Sequence, residues 1–243
     1  MYKKRLFYFP LAGASSLTFK KIKTYFPDDV DAICFDYPGH GQRISESSAN
    51  SMQELIADAY EKIKSKTATD TEYYLAGHCI GAVVAYEVCR MLQNRDNGSG
   101  MPKRLIVSGH GIPSVIVSEG LGQMDDDALI AHLVKNGLTD SSMADPKYRK
   151  MVKGMIIDPV KKDSALYDGF IFDPFENIKI SCGIDVLYGK EDQRFPEEDL
   201  KKWSGFTSAD VTFKGFEGGH YFLMEKEKEY FSAMADIMAK GDI

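Results

Sequence analysis

A chain of 243 residues with 44% hydrophobic and 27% charged residues is long enough to bury one sizeable core and is ordinary for a globular protein. Its formal charge of −6 excludes a dominant basic footprint for nucleic acid, and no apolar run reaches membrane-spanning length or forms the core of a signal peptide. Its 4 cysteines, Cys34, Cys79, Cys89 and Cys182, are scattered without metal-ligand spacing, which points to free thiols in a cytoplasmic setting and to no metal.

Arg5 to Phe9 reads as a first strand, followed by the small-residue loop Pro10-Leu11-Ala12-Gly13-Ala14-Ser15-Ser16 and a helix reaching Tyr25. Such a loop lets backbone N–H groups face a ligand, although a plain connecting turn explains it equally well. Asp31 to Asp36 is a second strand running into Tyr37-Pro38-Gly39-His40-Gly41-Gln42-Arg43, a turn dense in Gly and Pro. Ser51 to Ser65 carries helical spacing in Met52, Leu55, Ile56, Ala59 and Ile63.

The stretch Tyr73 to Arg90 then reads as strand, tight turn and a helix apolar on almost every face. Its turn, Gly77-His78-Cys79-Ile80-Gly81, has the form G-x-S-x-G with cysteine in place of serine. Neighbouring backbones approach closely at such a nucleophile turn, so only glycine fits two positions before and two after. The turn also sets the thiol at a helix N-terminus, where unpaired N–H groups and the helix dipole favour a thiolate and a developing oxyanion. The bland alternative is a buried structural thiol.

A polar loop, Asn94 to Pro102, leads to a strand over Arg104 to Ser108. The order βαβαβαβ to this point implies a parallel sheet with right-handed crossovers. From Ser114 to Asp173 the rhythm breaks into helices only. One covers Asp125 to Asn136. A second starts at Asp145-Pro146, with Tyr148, Met151, Val152, Met155 and Ile156 on one face and Lys147, Arg149, Lys150 and Lys153 around the other. Core packing accounts for the apolar stripe. A lid lining a substrate channel, with Met151 and Met155 along it, accounts for it too. The sheet resumes with strands at Ile184 to Tyr188 and Asp210 to Phe213, and a last helix covers Tyr221 to Lys240.

Cys79, Asp192 and His220 come in the order nucleophile, acid, histidine, each just after an expected strand. Parallel strands deliver their C-terminal loops to one sheet edge, so the three can meet. His220 would take the thiol proton and Asp192 would fix the imidazole tautomer, with Glu191 as the neighbouring rival. His40, His78, His110 and His132 are weaker candidates, explained by turns and packing. The oxyanion needs two backbone donors, assigned to Ile80 and to Ala12 of the first loop.

The blocks FPLAG (Phe9 to Gly13), YPGHGQR (Tyr37 to Arg43), AGHCIGAVVAYE (Ala76 to Glu87), VSGHGIP (Val107 to Pro113), YGKED (Tyr188 to Asp192) and EGGHYFL (Glu217 to Leu223) run in order over nearly the whole chain. Together the set resembles the type II thioesterases, α/β-hydrolases that accompany nonribosomal peptide and polyketide synthases. The resemblance implies a single α/β-hydrolase domain over 1–243, a mostly parallel sheet flanked by helices with a helical lid over 114–173. It implies hydrolysis of acyl groups from the phosphopantetheine arm of acyl or peptidyl carrier proteins, which clears mis-primed or stalled units. No cofactor is expected beyond the phosphopantetheine that the substrate carries, and a monomer is expected. By motif position Cys79, Asp192 and His220 match the family's nucleophile, acid and base, and Ala12 and Ile80 its oxyanion donors.

The departure is the cysteine, since most relatives carry serine. Attack by a thiol on a thioester is nearly thermoneutral, so an acyltransferase or cyclising enzyme is the alternative within the fold. A carrier-binding module with a vestigial site is the alternative outside catalysis. Because carrier proteins are acidic, Lys147, Lys150 and Lys153 are the expected docking residues, against an ordinary solvated face.

Overall fold

Six strands, β1 (Lys4–Phe9), β2 (Val30–Cys34), β3 (Glu72–His78), β4 (Arg104–Ser108), β5 (Gly183–Gly189) and β6 (Val211–Phe216), form one sheet in the order β2-β1-β3-β4-β5-β6. All five pairings are parallel. The computed structural model describes residues 2–67, 71–96, 98, 100–173 and 179–240; within the polar loop 94–102, positions 97 and 99 lie outside the described residues.

Both faces of the sheet are covered, which is why its central strands read as nearly continuous apolar runs. On one face Phe7, Phe9, Leu75, Val107 and Val186 pack under α1 (Met52–Lys66) and α2 (Ile80–Arg95). On the other, Leu6, Tyr8, Tyr74, Ala76 and Ile106 pack under α8 (Glu227–Lys240). Register pairs Phe9 with Gly77, His78 with Ser108 and Gly189 with Phe216. The strands therefore finish at one edge, and the loops after β1, β3, β5 and β6 share it.

Between β4 and β5 the chain leaves the sheet. Here lie α3 (Asp126–Lys135), α4 (Arg149–Val152) and α5 (Asp158–Asp168), with a π-helical turn over Lys153–Ile157 joining the last two. This segment has a small core of its own, built from Leu121, Leu129, Leu133, Val152, Ile157 and Val160. The uninterrupted helix expected from Asp145 is thus broken. Pro159 supplies no N–H to the carbonyl four residues back, and the π turn absorbs the mismatch.

Two other expectations change. The helix expected to reach Tyr25 is only a 3-10 turn over Ile22–Tyr25. Before it, Thr18 Oγ1 accepts from Ser15 N–H and Ser15 Oγ from Leu17 N–H, both at 3.2 Å, so short polar side chains compete with helix formation. The last helix splits at Lys226 (φ −114°, ψ 31°) into α7 (Phe222–Glu225) and α8. Phe222 is stacked on Phe216 with ring centroids 5.0 Å apart, while Phe231 packs on Tyr8, and one straight helix does not serve both. The short α6 (Glu197–Leu200) completes the set.

Candidate active site

β3 ends at His78 and α2 begins at Ile80, so a single residue makes the turn. Cys79 has φ 57° and ψ −123°, and it is the only non-glycine residue with positive φ among the described residues. A conformation of this kind costs about 1–3 kcal/mol and persists where its surroundings over-determine it. Here they do. The Cys79 N–H donates to Ser108 O at 3.0 Å. A β-carbon on Gly77 would lie 2.0 Å from Gly81 O, and one on Gly81 would lie 2.1 Å from Phe9 O.

The state of the thiol differs from the sequence expectation. Cys79 is half-buried, and its pKa is pushed up to about 11. Burial is the largest cause; Arg194 opposes it, Glu119 adds to it, the Ile80 N–H opposes it and Asp192 adds to it. The helix N-terminus does favour the anion through Ile80, but desolvation outweighs it. The resting group is a thiol.

The acid and histidine loops are pressed together by glycine. A β-carbon on Gly189 would lie 2.3 Å from Gly219 O, and the Glu191 N–H donates to Gly218 O at 3.0 Å. His220 Nδ1 lies 2.9 Å from Asp192 Oδ2, and each residue is 7% exposed. With Nδ1–H donating to the carboxylate, Nε2 is left as the acceptor nitrogen; it is buried and has no hydrogen-bond partner among the described residues. Asp192 Oδ1 accepts the Arg194 N–H at 3.1 Å. Burial raises the Asp192 pKa, with the Arg194 charge as the main opposing effect. Glu191 is exposed, so Asp192 is the carboxylate at the histidine.

Two other histidines stand near and stay neutral. Burial holds His78 down to about 3, with its Nδ1 2.9 Å from Ser108 Oγ. Burial likewise holds His110 down to about 4. Its Nδ1–H donates to Gly111 O at 2.8 Å, and Tyr167 OH donates to Nε2 at 2.7 Å.

Cys79, Ala12 and Ile80 line one cavity of ≈ 40 Å³, together with Leu121, Val160 and Tyr167. That volume admits water. The Ala12 N–H has no hydrogen-bond partner among the described residues. At the same cavity, Arg194 Nη1 lies 2.6 Å from Glu119 Oε1, and Tyr221 OH donates to Glu119 Oε2. This trio, which ties the insertion to the residues beside Asp192 and His220, was not found from sequence. No spacing relates positions 119, 194 and 221; adjacency to the acid and the histidine is the only hint.

The lid residues named from sequence line a groove that adjoins this cavity. Met151 and Met155 are 43% and 57% exposed and line a separate groove of ≈ 810 Å³, which meets the cavity at Leu11, Ala12 and Val160. It is α5, through Val160 and Tyr167, that covers the thiol. On the basic face, Lys147 pairs with Asp145 at 3.1 Å, and Lys153 with Asp126 at 2.9 Å and Asp158 at 3.3 Å. Arg149 pairs with Asp127. Lys150 is exposed and makes no ion pair among the described residues. Acidic partners from α3 and neighbouring turns thus neutralise most of a face that looks basic in sequence. No cluster of His, Cys, Asp and Glu able to hold a metal occurs among the described residues, nor any helix long and apolar enough to cross a membrane.

Similarity to known proteins fits this arrangement. The chain is 28% identical over 217 residues to phenyloxazoline synthase MbtB of Mycobacterium tuberculosis, spanning 88% of itself but only 15% of that protein's length. It is 27% identical over 235 residues to thioesterase PikA5 of Streptomyces venezuelae, spanning 96% of itself and 80% of the relative. Among solved structures, ClbQ from the colibactin NRPS/PKS pathway shares the fold with a TM-score of 0.84 at 23% identity, covering 99% of this chain and 98% of that one. The thioesterase domain family model matches residues 4–238, and the chain belongs to the thioesterase family.

Proposed function

We propose that the protein is a type II thioesterase that hydrolyses acyl groups from the phosphopantetheine arm of acyl or peptidyl carrier proteins, removing mis-primed or stalled units from a cytoplasmic synthase. The observation that carries this reading is the buried Asp192–His220 contact beside a cavity lined by Cys79, Ala12 and Ile80. Family membership and the ordered blocks of type II resemblance support the substrate class. The enzyme is proposed to act as a monomer and to need no cofactor, since the phosphopantetheine arrives with the substrate.

In this mechanism the Cys79 thiol gives its proton to His220 Nε2 as Sγ attacks the thioester carbonyl carbon. With the thiol pKa pushed up to about 11, proton transfer accompanies attack rather than preceding it. The N–H groups of Ala12 and Ile80 stabilise the oxyanion. Collapse breaks the bond to the phosphopantetheine sulfur, which leaves with the proton from His220. Water then gives its proton to His220 and attacks the acyl-Cys79 carbonyl. The acid is released and the thiol restored by that proton. Throughout, Asp192 holds the imidazole tautomer and stabilises its charge.

The test is to follow the mass of acylated carrier proteins with purified protein. Wild type should unload them, and Cys79→Ala should lose turnover while keeping its fold, because the backbone contacts that hold the turn do not involve the thiol. Hydrolysis retained by Cys79→Ala would remove Cys79 from the chemistry. The cysteine itself favours a second reading, acyl transfer, because the acyl-Cys intermediate is still a thioester. An amine or thiol acceptor that diverts product from the free acid would identify that activity.

A further inference from the structure

The loop after β2 grips the loop after β1 at three points. Tyr37 OH donates to Pro10 O at 2.9 Å. Asp36 accepts from Ser16 N–H at 2.7 Å and from Ser16 Oγ at 2.8 Å. Between these, His40 Nε2 lies 3.1 Å from Asp163 Oδ2, the same oxygen that accepts the Gly13 N–H at 2.8 Å. Asp163 belongs to α5, so one carboxylate joins the lid helix, the second loop and the residue after Ala12.

This junction is dry and charged. His40 is 4% exposed and Asp163 2%. His40 Nδ1 lies 3.1 Å from Pro38 O, and Nε2 meets the Asp163 carboxylate as a charge contact without hydrogen-bond alignment, which favours the imidazolium. Burial works against that charge, but the adjacent Asp163 carboxylate outweighs it, and the His40 pKa is raised. Gly13 has φ +73°, and a β-carbon there would lie 2.2 Å from Val160 Cγ2. The loop backbone therefore packs directly on α5. A buried ion pair is weak evidence for stability, since desolvation cancels much of its attraction. Its geometry speaks for a different role. The Gly13 N–H and the Ala12 N–H are successive amides, and the first is committed to Asp163 while the second is unpartnered at the catalytic cavity.

We propose that Asp163 and His40 are positioning residues: the buried pair pins Gly13, and so holds the Ala12 N–H toward the oxyanion that forms above Cys79. His40, 3.1 Å from the same oxygen, keeps the carboxylate turned toward Gly13. The lid helix then contributes to catalysis through the backbone it fixes and does more than cover the site. This role rests on Cys79 as the nucleophile and Ala12 as an oxyanion donor.

The test compares two reactions of the same thiol. Hydrolysis of a small acyl N-acetylcysteamine thioester passes through an oxyanion. Alkylation by iodoacetamide forms the S–C bond as iodide leaves, and no oxyanion appears. Asp163→Ala should lower kcat for the thioester about 100-fold, the scale of a misplaced catalytic contact. Asp163→Asn, whose amide oxygen still accepts from Gly13, and His40→Gln should each lower it about tenfold. KM and the alkylation rate of Cys79, read by peptide mass mapping, should change by less than about threefold in all of them. Unchanged hydrolysis in Asp163→Ala would overturn the positioning role. So would hydrolysis and alkylation falling in parallel, or variants in which the buried Cys34, Cys89 and Cys182 become labelled, because each marks a purely structural pair. A control separates the underlying assignment: if wild type alkylated at Cys79 still hydrolyses the thioester, Cys79 is not the nucleophile, whatever the variants do.

Discussion

Around the Cys79 turn, contacts run backbone to backbone: Gly77 against Gly81, Gly81 against Phe9, and the Cys79 N–H to Ser108 O. Across the top of the same cavity, contacts run between charged side chains instead. Glu119 meets Arg194 there, and farther along the insertion Asp126 meets both Lys153 and Lys161. The first kind leaves no alternative arrangement, because a backbone in van der Waals contact cannot yield without moving the strand or helix that carries it. The second kind can open and re-form as side chains rotate. Under the insertion, the cavity beside Cys79 adjoins the ≈ 810 Å³ groove at Leu11, Ala12 and Val160. The contrast therefore assigns rigidity to the turn that holds the thiol and motion to the insertion above it.

Four measurements break or sharpen that contrast. The largest effect is expected at the rigid side. His220→Ala should lower kcat/KM by about 10²–10⁴-fold. Asp192→Asn should come within about tenfold of it, because a protonated thiol needs a correctly oriented base. A nearly active Asp192→Asn enzyme would mean that the thiol is activated without tautomer control.

Next in size is the pH dependence of the thiol itself. With its pKa pushed up to about 11, Cys79 is protonated below that pH and gains thiolate as pH rises. Iodoacetamide labelling of Cys79 should therefore climb about tenfold per pH unit between about pH 7 and 9. A rate already flat at neutral pH would instead reveal a preformed thiolate–imidazolium pair.

Gly81→Ala should destabilise the protein by about 1–3 kcal/mol or more, since the new methyl meets the Phe9 carbonyl rather than a side chain that can turn away. Thermal melting reads this directly. An unchanged melting temperature would show that the turn is more pliable than its contacts imply.

The smallest effect is expected on the lid surface. Exchanging Lys150 and Lys153 for Glu should lower hydrolysis of carrier-bound substrate only about two- to fivefold, because Lys153 is already held by Asp126 and Asp158. A small thioester substrate should be unaffected. A loss on both substrates would mark α4 and its π turn as structural. A loss of a hundredfold on the carrier alone would make this face the main docking site.

The sequence by itself determined the parts set by local sterics and by strand order. Gly77 and Gly81 around Cys79 announced close backbone approach, because no other residue fits there. The alternation of apolar strands with helices announced a parallel sheet, whose C-terminal edge collects Ala12, Cys79, Asp192 and His220. Even so, Asp192 stands out from Glu191 only once β5 and the Gly218-Gly219 turn are in contact. What the tertiary structure alone decided are the properties that depend on neighbours distant in the chain. A helix N-terminus promised a thiolate at Cys79, but burial, invisible in sequence, raises its pKa instead. Four cations on one helical stretch looked like a free basic face, yet Asp127 and Asp126 of α3 meet Arg149 and Lys153, Asp145 meets Lys147, and Lys150 alone stays unpaired among the described residues. Pro159 turned one expected helix into three pieces, so that Val160 and Tyr167 line the cavity beside Cys79 while Met151 and Met155 line the groove that adjoins it. His40, a turn residue in sequence, became half of a buried ion pair only when α5 delivered Asp163. Charge and burial are sums over everything nearby in space, and only the folded chain brings those neighbours together.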